Sequence, residues 1–260
     1  AKVPEGMVYV PEGEYLSGIP TDSNKDGKAE SKGTTIWLSP YYIDKYEVTN
    51  KQFATFIATN EEWQPGAVSL KMQDGHYLTA FDGSTVPSGR EEYPVSWVSW
   101  YAADAFCKSI DKRLPTAAEW EKAGRGTDGR FYPWGDEFDG TRVNLCDKNC
   151  ELFYHGDWDD GFIESAPVGS FPKGVSSYGV LDMIGNVGEW VVDGANDTKS
   201  FLGKGETHDP KGPETSIWKT VFGRAWSDPP SIGYQIYRFG LSRPETTSGQ
   251  IGFRCAKDVK

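Results

Sequence analysis

Apolar and polar residues alternate through MVYVPEGEYLSG (7–18), with Gly and Pro at the turns, and this pattern predicts extended strands. IWLSPYYIDKYEV (36–48) predicts a second, longer extended stretch. Between them TDSNKDGKAESKG (21–33) is polar and without period. Helical spacing begins near residue 50: Phe53, Phe56 and Ile57 share one face of a helix over 50–59, with Thr49 or Asn50 as its cap. Residues 60–92 are polar and Gly-rich and read as an insertion-like loop region. In 99–110, Ala103, Phe106, Cys107 and Ile110 form one apolar stripe behind Ser99 as cap. TAAEWEKAG (116–124) opens with a capping box, in which the Thr116 side chain accepts from the third helical N–H and Glu119 reaches back. Pro115 fixes the entry, and Gly124 is expected to supply the left-handed stop. Beyond 125 the pattern gives no long helix, only short strands between Gly, Pro and Asp turns. With no internal repeat, linker or low-complexity tract, residues 1–260 read as one domain with sparse regular structure.

Composition narrows the function classes. The 260 residues suffice to bury a core. Lys and Arg number 27 against 38 Asp and Glu, a net charge of −11, so nucleic acid and anionic membrane are poor partners. A mean hydropathy of −0.57, with no long apolar run, excludes a spanning helix and membrane insertion by one. Ten Trp, 13 Tyr and 13 Phe argue against disorder, and 30 Gly with 16 Pro argue against a helical bundle. No obvious apolar patch calls for a second copy, so a monomer is expected. The cysteines are Cys107, Cys146, Cys150 and Cys255. Their even count, and the polar CDKNC segment, suggest disulfides and an oxidising compartment, periplasmic or extracellular, with four free thiols as the alternative. No signal peptide is visible, and Ala1 is compatible with a removed one. Asn196-Asp197-Thr198 is a glycosylation sequon, relevant only in a eukaryotic secretory pathway.

Metal chemistry has one candidate from spacing alone. Asp22, Asn24, Asp26 and Gly27 occupy positions 1, 3, 5 and 6 of an EF-hand-type loop, with Glu30 at position 9. Position 12 is Gly33, so the bidentate Glu is missing; the segment is either a weak calcium site or a solvated turn. His76, His155 and His208 are isolated in polar loops, which argues against a facial-triad iron site. No nucleophile elbow supports a Ser-His-Asp triad.

Six segments, YYIDKYEVTNKQFATF (41–56), YPVSWVSWYAADAFCKSIDKRLPTAAEWEKAGRG (93–126), YPWGD (132–136), APVGSFP (166–172), YGVLDMIGNVGEWVVD (178–193) and GFRCAKD (252–258), together resemble the formylglycine-generating-enzyme (sulfatase-modifying-factor) superfamily. They stand in family order and span almost the whole chain. The resemblance implies a mixed α+β fold of C-type-lectin-like topology with much irregular backbone. The founding activity oxidises a sulfatase cysteine to formylglycine, using two cysteines that bind copper as thiolates, between a GGSW-like motif and the terminal GFRC. Here GGSW has become GRAW (223–226), and no cysteine follows before Cys255; the matching positions fall near Asp228–Pro229 and Gly233–Tyr234. Soft Cu(I) needs thiolate or thioether ligands, so neither copper nor the family's thiol chemistry is expected.

The resemblance also pairs Cys107 with Cys255, a long-loop disulfide that contributes about 4–5 kcal/mol on the chain-entropy model. Cys146 and Cys150 read as a local staple of the 141–162 loop, with a metal half-site as the alternative. Structural calcium is implied twice. One set maps to the Asn144 side chain, the Leu145 carbonyl, the Asp160 side chain and the Phe162 carbonyl. The other maps to Asp182, the Gly185 and Val187 carbonyls, and Glu189, where Asp182 in place of Asn adds charge. The family's cleft, formed largely by the C-terminal third, would present Asp228, Tyr234, Tyr237, Arg238 and Arg243 to a peptide, glycan or aromatic ligand. Trp226 is expected in the core, Asp228 and Tyr234 exposed. Three functions follow: a non-catalytic, calcium-stabilised binding or structural module of an exported bacterial protein; a periplasmic oxidative tailoring enzyme resembling the pyoverdine-maturation relatives; or a diversity-generating ligand-binding protein, requiring gene copies that differ around 224–250.

Overall fold

The computed structural model describes residues 2–18, 34–151, 155–195, 207–213, 215–229 and 238–260. Strands β1 (Met7–Val10) and β2 (Gly13–Ser17) part at Pro11 and enter different sheets. The predicted long strand over 36–48 is likewise two: β3 (Thr34–Leu38) pairs antiparallel with β2, and β4 (Tyr41–Asp44) pairs with β1. Pro40 explains the break, since it has no N–H for a ladder. Asp209 holds the bend, accepting from the Ser39 N–H at 2.7 Å and its hydroxyl at 2.8 Å.

The helices follow their caps. In α1 (Asn50–Thr59) the cap is Thr49, in a capping box with Gln52. In α2 (Trp100–Ser109) it is Ser99. Ala102 joins the buried stripe, whereas Ile110 lies at the helix end and is exposed, because the chain turns there. Helix α3 (Ala117–Arg125) carries the Thr116–Glu119 box. Its stop is not Gly124, which stays helical and buried, but Gly126 at φ 76°. The next strands are β5 (Gly188–Gly194), β6 (Lys219–Phe222), β7 (Arg238–Ser242), β8 (Ile251–Gly252) and β9 (Ala256–Asp258). They complete sheets of order β1-β4-β9 and β7-β6-β5-β8, the β5–β8 pair being parallel.

Two apolar clusters form the core. One surrounds Trp120 and Phe222. The other is built on Phe53, Phe106 and Phe253, whose ring centroids lie 5.4–6.2 Å apart in stacked and edge-on arrangements. Tyr77, Leu78 and Phe81 belong to this second cluster, so the 60–92 segment is partly core rather than a surface insertion. The Cys107–Cys255 disulfide lies in the same cluster and ties α2 to the residue that leads into β9. Between the clusters, buried Arg254 makes a two-pronged pair with Glu189, which also accepts from Trp120 Nε1 at 2.7 Å.

Candidate functional site

After β6 the chain turns through Gly223, at φ 78°, into Ala225 and Trp226. Asp228 folds back: its N–H donates to the Ala225 carbonyl and its Oδ2 accepts from the Ala225 N–H at 2.8 Å. The Asp228 carbonyl accepts from the Cys146 N–H at 3.1 Å, so the CDKNC staple, closed as a Cys146–Cys150 disulfide, packs against this turn. Asp228 is therefore a half-buried turn residue rather than an exposed contact, and burial pushes its carboxyl up. Arg243 is exposed and ion-paired with Glu245. Arg238 opens β7 opposite Phe222. Tyr234 and Tyr237 lie outside the described residues.

Trp226 is not core. It is half-buried and lines a cleft of about 250 Å³ with Trp97, Tyr93, Arg90, Glu164 and Asn50. Neither Asp228 nor Arg243 lines this cleft. Five of its twelve lining residues come from 90–97, none of which sequence reasoning placed in a site. The available signal was Trp97 itself, an aromatic ahead of the Ser99 cap and off the helical stripe. Its backbone is left-handed, at φ 58°. That conformation strains a bulky residue by about 1–3 kcal/mol and persists only where its surroundings impose it. Here the Trp97 N–H donates to the Ser248 carbonyl at 2.8 Å, and its carbonyl accepts from the Leu78 N–H at 2.9 Å. Gly249 lies against the indole: a Cβ there would stand 3.0–3.2 Å from Nε1, Cε2 and Cζ2.

Of the two calcium sets, the first retains a buried acceptor without a hydrogen-bond partner. Asn144 is buried, its amide donating to the Glu164 carbonyl at 2.9 Å. Asp160 Oδ1 accepts from the Phe162 N–H at 2.9 Å, while its buried Oδ2 has no hydrogen-bond partner. Burial, with Asp147 and Asp159 nearby, raises Asp160 to about 6. A buried carboxylate oxygen without a hydrogen-bond partner suits a hard cation. The second set fits less well. Both Glu189 oxygens accept from Arg254, and one also from Trp120, so Glu189 is the counter-ion of Arg254. Asp182 Oδ2 accepts from the Gly169 N–H at 2.6 Å.

Sequence reasoning missed Glu47, buried here with its carboxyl accepting from Asn186 Nδ2 at 2.9 Å and from the Val187 N–H at 3.3 Å. Burial drives Glu47 well up, and Asp182 and Glu189 add to this. Among the described residues no three His, Cys, Asp or Glu side chains converge as a metal site. Asp22, Asn24 and Asp26 lie outside the described residues. The histidines do not gather: His208 stacks on Trp37, His76 stands 6.2 Å from Trp97, and His155 contacts the Gly156 carbonyl. No helix among the described residues is long and apolar enough to cross a membrane.

The formylglycine-generating enzyme of Thermomonospora curvata is 32% identical over 292 residues, covering 99% of this chain and 95% of the relative. A mouse protein named inactive C-alpha-formylglycine-generating enzyme 2 is 30% identical, covering 97% of this chain and 86% of the relative. Among solved structures, PvdO from Pseudomonas aeruginosa matches with a TM-score of 0.70 at 24% identity, covering 97% of this chain and 94% of PvdO; that likeness shows the fold. The family model described as sulfatase-modifying factor enzyme 1-like domain matches residues 1–259, and the chain belongs to that family.

Proposed function

We propose that this chain is a non-catalytic binding or structural module of an exported bacterial protein, with a partner held at the Trp97–Trp226 cleft and calcium at the Asn144–Phe162 site. One observation carries the reading: all four cysteines are paired in two disulfides, and the stretch from Gly223 to Arg254 contains none. Asp228, near the position matching one family thiol, offers a hard oxygen already engaged with its own turn. Soft-metal thiolate chemistry has no ligand there. The mouse relative named inactive fits a family that includes non-catalytic chains. A peptide, protein or glycan suits the cleft better than a highly charged ligand, because Arg90 and Glu164 face each other at 4.0 Å. Asn144, the Leu145 and Phe162 carbonyls and Asp160 would hold the calcium. The bound ion would supply positive charge that neutralises Asp160 and ties the two segments together.

Elemental analysis of the purified protein, with oxygen uptake in the presence of a cysteine-containing sulfatase peptide, tests this reading. The expected result is calcium without copper or iron, and no aldehyde formed on the peptide. Stoichiometric copper or iron with oxygen consumption would overturn it in favour of an oxidative enzyme.

A further inference from the structure

We infer that the Trp97–Trp226 cleft is a subsite for one neutral pyranose ring of a glycan, an assignment that rests on the binding-module reading and gives it a ligand class. Trp97 and Trp226 converge on Gly249: the indole of Trp97 lies against its Cα, and Trp226 Nε1 reaches its carbonyl at 3.4 Å. The strained backbone of Trp97 is held by hydrogen bonds at both its N–H and its carbonyl, and Gly249 packs against its indole, so the residue is positioned before any ligand arrives. Tyr93 offers less, since the Arg90 guanidinium already lies over its ring at 4.4 Å. Besides Tyr93, the aromatic rings lining the cleft are the two half-buried indoles.

The charges and volume then select the ligand. Arg90 and Glu164 are 4.0 Å apart on the rim and cancel, so an anion or a cation meets both signs at once. A wholly apolar ligand would cover the Ser96 and Ser165 hydroxyls without pairing them. A neutral ring with apolar C–H faces and hydroxyls at its edge matches stacking surface and rim together. About 250 Å³ admits one such ring rather than a drug-sized ligand. A single ring contact of this kind binds with a Kd of about 1 mM.

The test is titration of the whole protein with cellotetraose, maltotetraose and mannotetraose, followed by Trp fluorescence and calorimetry. Polygalacturonate oligomers, tetramethylammonium and a proline-rich decapeptide are the competitors. The expected result is saturable binding of at least one neutral tetrasaccharide, changing less than about twofold between 50 and 500 mM NaCl. Trp97→Ala should weaken it at least about tenfold. Gly249→Ala is the companion variant: its Cβ displaces the indole by tenths of an ångström, and a fold retained by thermal melt should still show weakened binding. Tighter binding of the anionic oligomer, the ammonium ion or the peptide would overturn the pyranose assignment and leave the binding-module reading standing. No binding of any neutral tetrasaccharide at 20 mM would also overturn the assignment. Failure of the binding-module reading shows separately, as metal-dependent oxygen consumption.

Discussion

Arg254 faces three buried carboxylates, Glu189 in a two-pronged pair and Glu47 and Asp182 at longer range. A buried ion pair is no strong source of stability by itself, but removing one partner leaves an uncompensated charge, at a cost of about 3–5 kcal/mol. The two sides of this pair are unequal. Glu189→Gln leaves Arg254 with Glu47 and Asp182 nearby, whereas Arg254→Met leaves three acids without their guanidinium. Arg254→Met is therefore expected to lose about 3–5 kcal/mol in urea unfolding, and Glu189→Gln about 1–3 kcal/mol. Equal losses would show that Glu47 and Asp182 do not feel Arg254. None of this partnership is visible along the sequence. Glu189 reads as an acid in a metal-like motif until the fold brings in Arg254, 65 residues away. Glu47 is likewise unremarkable until Asn186 and Val187 close over it from 139 and 140 residues away.

Local rules explain what was legible at the scale of elements. Thr49, Ser99 and Thr116 cap their helices because a cap is decided by a few adjacent residues. The strand break at Pro40 follows from the same local chemistry, though periodicity alone hid it. The stop at Gly126 does not: Gly124 is equally able to take a left-handed turn, and α3 continues because its last residues are buried. A partner outside the helix completes its start. Asp193 of β5 accepts from the Ala117 N–H at 2.7 Å and the Gly212 N–H at 2.6 Å.

Burial raises Asp193 to about 6, above its unfolded value of 3.8. The folded state thus binds more protons than the unfolded between those values, and this group lowers stability as pH rises from about 4 to 6. Lys122 of α3 has the complementary sign. Its Nζ donates to the Pro11 and Gly13 carbonyls, and burial lowers it from 10.5 to about 8. The unfolded chain binds the extra proton between those values, so stability should rise with pH from about 8 to 10, by about 1–3 kcal/mol. Lys122→Met should flatten that rise and Asp193→Asn the fall on the acid side. Unchanged profiles, measured by thermal melts across both windows, would refute these assignments.

The two disulfides act at different scales across the whole molecule. Cys107 and Cys255 are 148 residues apart, and removing that bond is expected to cost about 5 kcal/mol on the chain-entropy model. Cys146 and Cys150 are four apart, for about 2 kcal/mol. The short staple has a local task, holding the loop that carries Asn144, Leu145 and Asp160 against the turn at Asp228. Calcium at this loop would couple the same segments, because its ligands come from 144–145 and 160–162. A ligand that binds only the folded state stabilises it by mass action, about 2.7 kcal/mol at 100 times its Kd. In a chain of net charge −11 it also relieves self-repulsion. The expected outcome is a rise in Tm on adding millimolar calcium at pH 7.5, reversed by chelator. Asp160→Asn should abolish the rise, and Cys146→Ser with Cys150→Ser should reduce it. Because Asp160 carries a proton below about 6 in the absence of the ion, binding must release it, and the rise should shrink at pH 5. A calcium response that persists in Asp160→Asn would move the ion to the acids around Glu47 and Asp182. There Glu189 would have to give up Arg254 to serve it, and the Arg254→Met variant would then bind calcium more tightly than the parent chain.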